Sequence, residues 1–262
     1  MDRRSLTVAE VAARLARVTR PSAAWLRDLS ADPRRGVRRL VARYERTREL
    51  LRAERRRLWG LYREERGRRR AGQIVAGVDE VGCGCLAGPV VAAAVILTDA
   101  PPIAGLDDSK RLTPASRERL NDEIRSRALA VAVAMASVEE IARLNIRGAA
   151  RLAMHRAVES LYPSPDFALV DGRDRLPPGV DHATIVRGDA ACACIAAASI
   201  VAKVARDRLM QDLDAAFPGY GFARHKGYGT AEHLAALLRF GPCPAHRGAF
   251  LPVAQTALFE WL

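Results

Sequence analysis

Four carboxylates stand where apolar runs end: Asp79 and Glu80 after "IVAGV", Asp171 after "FALV", and Asp189 just beyond "ATIV". In an α/β sheet such strand ends can converge on one edge, where ligands commonly bind. Converging acids repel one another and raise some of their pKa values unless cations neutralise them. Hard oxygen donors select Mg²⁺ or Mn²⁺. A carboxylate shared by two ions about 3.5–4 Å apart is an arrangement that phosphodiester hydrolysis often uses. Asp at a strand end or helix cap is also common for structural reasons alone, so the pattern acquires meaning from the elements that carry it.

Those elements read as an α/β domain from Gln73 onward. "IVAGVD" and "VVAAAVIL" are short apolar runs joined by a glycine-rich turn, and Leu129 to Ser137 is a third, which predicts three strands. Thr113-Pro114 opens a helix that runs to about Arg127, and further helices are expected near Val138 to Leu144 and Arg147 to Leu161. One strand ends at Asp171 and another, "ATIV", precedes Arg187. Ala190 to Phe217 then reads as one long helix with Asp189 at its N-cap. Strands interleaved with helices indicate a mixed sheet flanked by helices.

The charge is distributed unevenly over the 262 residues and net +12 of the chain. Residues 1–72 hold 22 Arg and 9 acids, whereas residues 73–262 hold 20 basic and 21 acidic side chains. The first segment, residues 1–72, is therefore read as a basic, mainly helical extension, and the second, residues 73–262, as a separate α/β domain with a C-terminal helical region. An arginine excess of this kind suits a polyanion, nucleic acid first among them; a solvated arginine-rich helix is the plainer reading. Thr7 and Glu10 form a capping-box pattern, and Asp32-Pro33 opens a second, long helix. Trp25, Trp59 and Tyr62 lie on an apolar stripe and read as core more readily than as base-stacking platforms. Gly67 to Gly72, "GRRRAG", reads as a linker. No apolar run approaches the ~20 residues of a membrane span and no secretory signal is evident, so the cytoplasm is the default compartment.

Five cysteines at these spacings suggest reduced thiols. Cys83-Gly84-Cys85 and Cys192-Ala193-Cys194 could be neighbours, but zinc is disfavoured. The spacing is tight, and in the first turns of a helix the second pair would diverge. His225 and His246 lack ligand spacing and read as hydrogen-bonded loop histidines.

The ordered series "DEVG", "GPVVAAAVIL", "DDSKRLT", "VDG", "GDA", "IAAASIVAKVARD", "YGFARHKGYGT" and "PAHRGAF" resembles bacterial ribonuclease HII, of the type-2 ribonuclease H family, in its form with an N-terminal basic extension. The resemblance implies a ribonuclease H-like fold and hydrolysis of RNA in RNA·DNA hybrids. It also implies incision 5′ of ribonucleotides embedded in duplex DNA, leaving 3′-hydroxyl and 5′-phosphate ends. By position it assigns Asp79, Glu80, Asp171 and Asp189 to catalysis and to two Mg²⁺ or Mn²⁺ ions. Gly82, Cys83 and Gly84 match a Gly-Arg-Gly turn that reads the 2′-hydroxyl through the backbone, with Cys83 in place of the arginine and Cys85 in place of the usual following proline. Tyr228 matches a tyrosine beside the junction, and Lys110, Lys203, Arg206 and Lys226 are candidate phosphate contacts. The resemblance also implies that residues 1–72 bind substrate and that residues 73–262 are catalytic. A monomer and no membrane partner are expected, though nothing in the sequence fixes the oligomeric state, and a replication-clamp contact stays open. Another nuclease of the same fold would share the acids but has less reason to hold Tyr228 and the turn. A noncatalytic nucleic-acid-binding protein would explain the arginines but not the tetrad.

Overall fold

The computed structural model describes residues 6–18, 20–98 and 101–258. The chain divides into two compact units between Arg57 and Leu58. The first contains α1 (Val8–Arg17), α2 (Ala23–Ser30) and most of α3 (Arg35–Leu61) around a core of Val11, Leu15, Leu29, Val37 and Val41. Thr7 and Glu10 form the expected capping box on α1. Helix α2, which had no counterpart among the expected elements, starts where the Ser22 side chain accepts the Trp25 N–H.

The second unit continues with α4 (Arg63–Arg70), β1 (Val75–Val81), β2 (Val90–Ile96), α5 (Pro114–Arg127), β3 (Ala130–Ala136), α6 (Val138–Glu159), β4 (Phe167–Asp171) and β5 (Asp181–Ile185). It closes with α7 (Gly188–Ala191), α8 (Ala193–Ala216), α9 (Phe222–His225), α10 (Ala231–Phe240) and α11 (Leu251–Leu258). The sheet order is β3-β2-β1-β4-β5; β1–β2 and β2–β3 pair antiparallel, β1–β4 and β4–β5 parallel. This is the mixed sheet that the alternation of runs predicts. Helices α8 and α5 cover one face and α6 the other, so β2 is buried along its whole length and reads as a continuous apolar run. At Gly77 an added Cβ would stand 2.1 Å from the Cys194 carbonyl carbon, so the missing side chain is what lets α8 lie against β1.

Three local expectations are corrected. "GRRRAG" is no linker: Gly67 to Arg70 are helical in α4, whose Glu65 is fully buried in the second unit. Arg63 and Arg70 stay exposed on α4 while the Glu65 carboxylate turns inward, a tertiary effect that composition does not show. Ala190 to Phe217 is not one helix, because Cys192 is extended (φ −133°, ψ 130°) and separates α7 from α8. Asp189 therefore lies inside α7, behind a left-handed Arg187, instead of capping a long helix. The pair expected near Val138–Leu144 and Arg147–Leu161 is present as α6, interrupted at Asn145 (φ 59°), whose Oδ1 accepts the Arg147 and Gly148 N–H groups.

Candidate active site

Strand alternation decides which acids meet. Val75 on β1 and Leu169 on β4 face α8, while Ala76, Val78, Ala168 and Val170 face α6. Asp79 and Asp171 continue the α8-facing series. They stand beside each other one residue beyond the Val78–Val170 pair of the parallel ladder. Asp189 arrives from α7, and one carboxylate oxygen from each of Asp79, Asp171 and Asp189 lies within 4.8 Å of the other two. Glu80, next along β1, has the opposite parity and stays outside this group, though it is close enough for Asp171 to raise its pKa after burial has done so.

The cluster is held by short polar contacts. Asp171 Oδ1 accepts the Gly188 N–H at 2.6 Å, which ties β4 to α7. Asp79 Oδ1 accepts the Glu80 N–H at 2.8 Å, and the Ser199 hydroxyl on α8 also bonds to Asp79 and favours its charged form. Ser199 is in turn 2.9 Å from the Ser109 hydroxyl. Burial, followed by the charges of Glu80 and Asp171, pushes the Asp79 carboxyl well above its ordinary range; burial and then Asp171 raise Asp189. The one cation paired with the cluster among the described residues is Lys110, 3.6 Å from Asp189 with its side chain 79% exposed. Burial opposes its charge, but Asp189, Asp108 and Asp79 outweigh that and raise its pKa. Three carboxylates with negative charge in excess, two of them almost fully buried, fit a hard divalent cation.

The glycine-rich turn follows directly from the acid-bearing strand. Gly82 adopts φ +97°, and a Cβ there would stand 2.2 Å from Arg206 Nε, whereas beyond its two chain neighbours nothing lies within 4 Å of the Cβ position at Gly84. Cys85 N–H donates to Gly82 O at 3.3 Å, a bond that the proline at this place in the related motif could not make. Cys83 Sγ lies 3.9 Å from Glu80 Oε1; burial, then Glu80, pushes its thiol to about 12, so it is a neutral group. Tyr228 is 41% exposed and its backbone bridges Cys85. Burial and the adjacent Cys85 raise the Tyr228 phenol.

Three buried imidazoles brace this junction. His233 Nδ1 is 2.9 Å from the Tyr228 carbonyl and its Nε2 is 3.0 Å from His246 Nε2, while His246 Nδ1 accepts the Cys243 N–H at 2.9 Å. The network therefore assigns the proton to His233 Nδ1 and to His246 Nε2. His225 donates from Nε2 to Tyr220 O and accepts the Gly227 N–H at Nδ1. Both histidines weighed as metal ligands in the sequence are hydrogen-bonded, as the plainer reading expects.

Among the basic candidates, Lys110 reaches the acids, while the others are occupied within the protein. Lys203 pairs with Asp207, and Lys226 Nζ donates to Asp207 O at 3.3 Å. Arg206 is fully buried, with its donors on Pro89 O (3.2 Å), Lys226 O (2.9 Å) and Ala87 O (3.1 Å), so the expectation of a phosphate contact from its side chain is corrected to support of the turn. Sequence reasoning passed over Ser199 and Arg247. Ser199, Lys203 and Arg206 recur at helical spacing on α8, a signal that could have placed Ser199 on the acid-facing side. Arg247 carries no such signal.

The cysteines also differ from expectation. The break at Cys192 turns its Sγ to 3.5 Å from Cys194 Sγ, so the pair converges, beside buried Glu65. Glu65 Oε2 accepts the Cys194 N–H at 2.9 Å and Oε1 lies 3.0 Å from Arg69. One ligand atom from each of Glu65, Cys192 and Cys194 lies within 4.8 Å of the other two, so the expectation that the second cysteine pair diverges is corrected, and Glu65 also serves as the cap on the Cys194 N–H.

The family model Ribonuclease HII matches residues 76–253, and the model Ribonuclease HII N-terminal domain matches residues 7–68. A ribonuclease HII of Albidiferax ferrireducens is 61% identical over 183 residues, covering 70% of this chain and 88% of that one. A ribonuclease HII of Geobacillus thermodenitrificans is 48% identical over 250 residues, covering 95% and 96%, so that match takes in the N-terminal unit as well. The crystal structure of the ribonuclease H2 from Pyrococcus horikoshii superposes with a TM-score of 0.60 at 24% identity, covering 71% of this chain and 97% of that one, and speaks to the fold.

Proposed function

Because the chain belongs to the ribonuclease HII family and is a metal-dependent ribonuclease H, we propose that it incises DNA on the 5′ side of an embedded ribonucleotide, as well as the RNA strand of hybrids, with two Mg²⁺ or Mn²⁺ ions at Asp79, Glu80, Asp171 and Asp189. The observation that carries the proposal is continuity: β1 delivers Asp79 to the carboxylate cluster and, three residues on, runs into the Gly82–Gly84 turn. A group that reads the sugar and the groups that act on the neighbouring phosphate are thus fixed to each other by one short segment.

When bound, divalent cations supply water activation and stabilise the departing 3′-oxygen. Asp79, braced by Ser199, and Asp171, braced by the Gly188 N–H, present the central oxygens, and Asp189 closes the third side. Glu80 adds a carboxylate at the margin. The exposed Lys110 amine, beside Asp189, meets the scissile phosphate. The 2′-hydroxyl, the atom that separates RNA from DNA, is met by the backbone of Gly82–Cys83–Gly84, with Tyr228 covering the following sugar. Attack by water on phosphorus leaves a 5′-phosphate and a 3′-hydroxyl, and no side-chain nucleophile takes part. The arginine-rich N-terminal unit adds sequence-independent phosphate contacts.

Turnover on a DNA duplex carrying one ribonucleotide, on an RNA·DNA hybrid and on unmodified DNA, each with Mg²⁺, Mn²⁺ or EDTA, tests this reading. Cleavage of the first two alone, and only with metal, is expected. Cleavage of unmodified DNA at a similar rate would favour another nuclease of this fold; binding to all three without cleavage would favour a noncatalytic role.

A further inference from the structure

Two buried guanidiniums lie behind the glycine-rich turn. Arg206 is 0% and Arg247 1% exposed, and among the described residues neither has a carboxylate within ion-pairing distance. Arg247 Nη1 donates to Cys83 O at 3.1 Å and its Nε to Gly88 O at 2.9 Å, while its Nη2 is buried without a hydrogen-bond acceptor. Burial lowers the Arg247 pKa to about 10, which still leaves it charged at neutral pH. An unpaired charge held in the interior is costly to folding, so its retention calls for a gain elsewhere.

The geometry of the peptide unit says where that gain lies. The 83–84 bond is trans, so its N–H points opposite to its carbonyl. Arg247 draws the Cys83 carbonyl inward and thereby turns the Gly84 N–H outward. That N–H has no acceptor among the described residues, Gly84 is exposed, and beyond its two chain neighbours no atom stands within 4 Å of its Cβ position. Gly82, by contrast, is packed onto Arg206, so its lack of a side chain serves the interior. The turn therefore presents the Gly84 N–H, backed by positive charge on its inner side, to whatever electronegative atom approaches.

We propose that Arg247 is a positioning residue for ribonucleotide selection: by holding the Cys83 carbonyl it orients and polarises the Gly84 N–H toward the 2′-oxygen of the ribose. The proposal rests on the reading of the Gly82–Gly84 turn as the 2′-hydroxyl reader and adds to it the group that keeps the turn in its reading conformation. In this chain the guanidinium comes from the interior, from the "PAHRGAF" segment, while the turn itself carries the neutral Cys83. Lysine cannot replace it, because a single ammonium does not present the planar fork that spans the Cys83 and Gly88 carbonyls.

The test compares full-length wild type with Arg247→Lys and Arg247→Gln. With Ca²⁺ present, affinities are measured for a DNA duplex carrying one ribonucleotide and for the same duplex in all-deoxy form, beside each protein's melting curve. Wild type should prefer the ribonucleotide duplex. The folded variants should lose about tenfold of that preference, the equivalent of one good hydrogen bond, with all-deoxy affinity unchanged. A purely structural staple would instead weaken both affinities together, and that result, or an unchanged preference in a folded variant, overturns the proposal. If neither variant folds, the decision passes to the Gly84 amide in labelled wild type: its proton signal should move on adding the ribonucleotide duplex and stay with the all-deoxy duplex, and equal movement with both overturns the proposal. Absence of any preference in wild type would instead refute the underlying 2′-hydroxyl reading, and the role of Arg247 with it.

Discussion

Glu65 accepts a 2.9 Å hydrogen bond from the backbone N–H of Cys194, 129 residues further along the chain, and so caps α8 at the break that follows Asp189. A helix N-terminus leaves N–H groups without intrahelical partners, and here a carboxylate from α4 supplies the acceptor, since the side chain of the N-cap residue, Cys192, makes no capping bond. The end of the arginine-rich segment is thus part of the catalytic unit.

This capping bond sets where the extension can be removed. Deleting residues 1–57 should leave a folded enzyme with weaker hybrid binding and a shallower salt dependence, by about 0.9 in slope for each phosphate that is no longer neutralised. Deleting residues 1–72 also strips the buried Leu58, Leu61, Tyr62 and Glu65, at a cost of several kcal/mol, roughly the scale of large core truncations, and should not give a stable protein. Melting curves and binding at several salt concentrations separate the two. An unchanged salt slope after removing 1–57 would mean that the arginines of the first unit only face solvent.

Asp79→Asn should lower turnover by roughly 10²–10³-fold or more, the scale seen when a key electrostatic group is removed from an active site. It should also stabilise the metal-free protein. The folded-state pKa values of Asp79, Glu80 and Asp189 are raised, so over the pH range above the ordinary carboxylate value the folded chain binds more protons than the unfolded one, and stability falls as pH rises. Removing one of these charges at neutral pH should raise the melting temperature in EDTA and reduce the stabilisation gained from added Mg²⁺. A lower melting temperature in EDTA would contradict the repulsive cluster.

The imidazole network has the opposite sign. Burial, then His233, lowers His246 to about 4, and burial lowers His233 as well. Below the ordinary histidine value near 6.5 the unfolded chain takes up protons that the folded one refuses, so the stability from these groups is present above that value and is lost as pH falls toward about 4. The loss should be on the order of 3 kcal/mol for His246. His246→Gln should show a flatter dependence of unfolding free energy on pH between those limits; an equally steep dependence would show that His246 is not held neutral in the folded state.

The meeting of Asp79, Asp171 and Asp189 was legible in the sequence because a strand end is marked by the close of an apolar run, whereas the strand parity that leaves Glu80 outside their group was not read. What could not be read was tertiary. Cys192 has no local feature that forbids helix, and its extended backbone is visible only once α7 and α8 are seen to diverge. Glu65 among arginines looks solvated until α8 is laid over it, and Arg206 looks like a surface cation until the carbonyls of Ala87, Pro89 and Lys226 surround it. Buried charge is the feature that composition conceals best, because the same residue types dominate the solvated surface.

The central claim, that Asp79, Asp171 and Asp189 form the metal-dependent catalytic centre, is tested most directly by anomalous scattering from crystals of the protein grown with Mn²⁺ and a ribonucleotide-containing duplex. Mn²⁺ peaks are expected at about 2.0–2.6 Å from oxygens of these three carboxylates, beside the phosphate on the 5′ side of the ribonucleotide. Duplex bound in that position with no peak at the three carboxylates, or with the peak at Glu65, Cys192 and Cys194 instead, would contradict it.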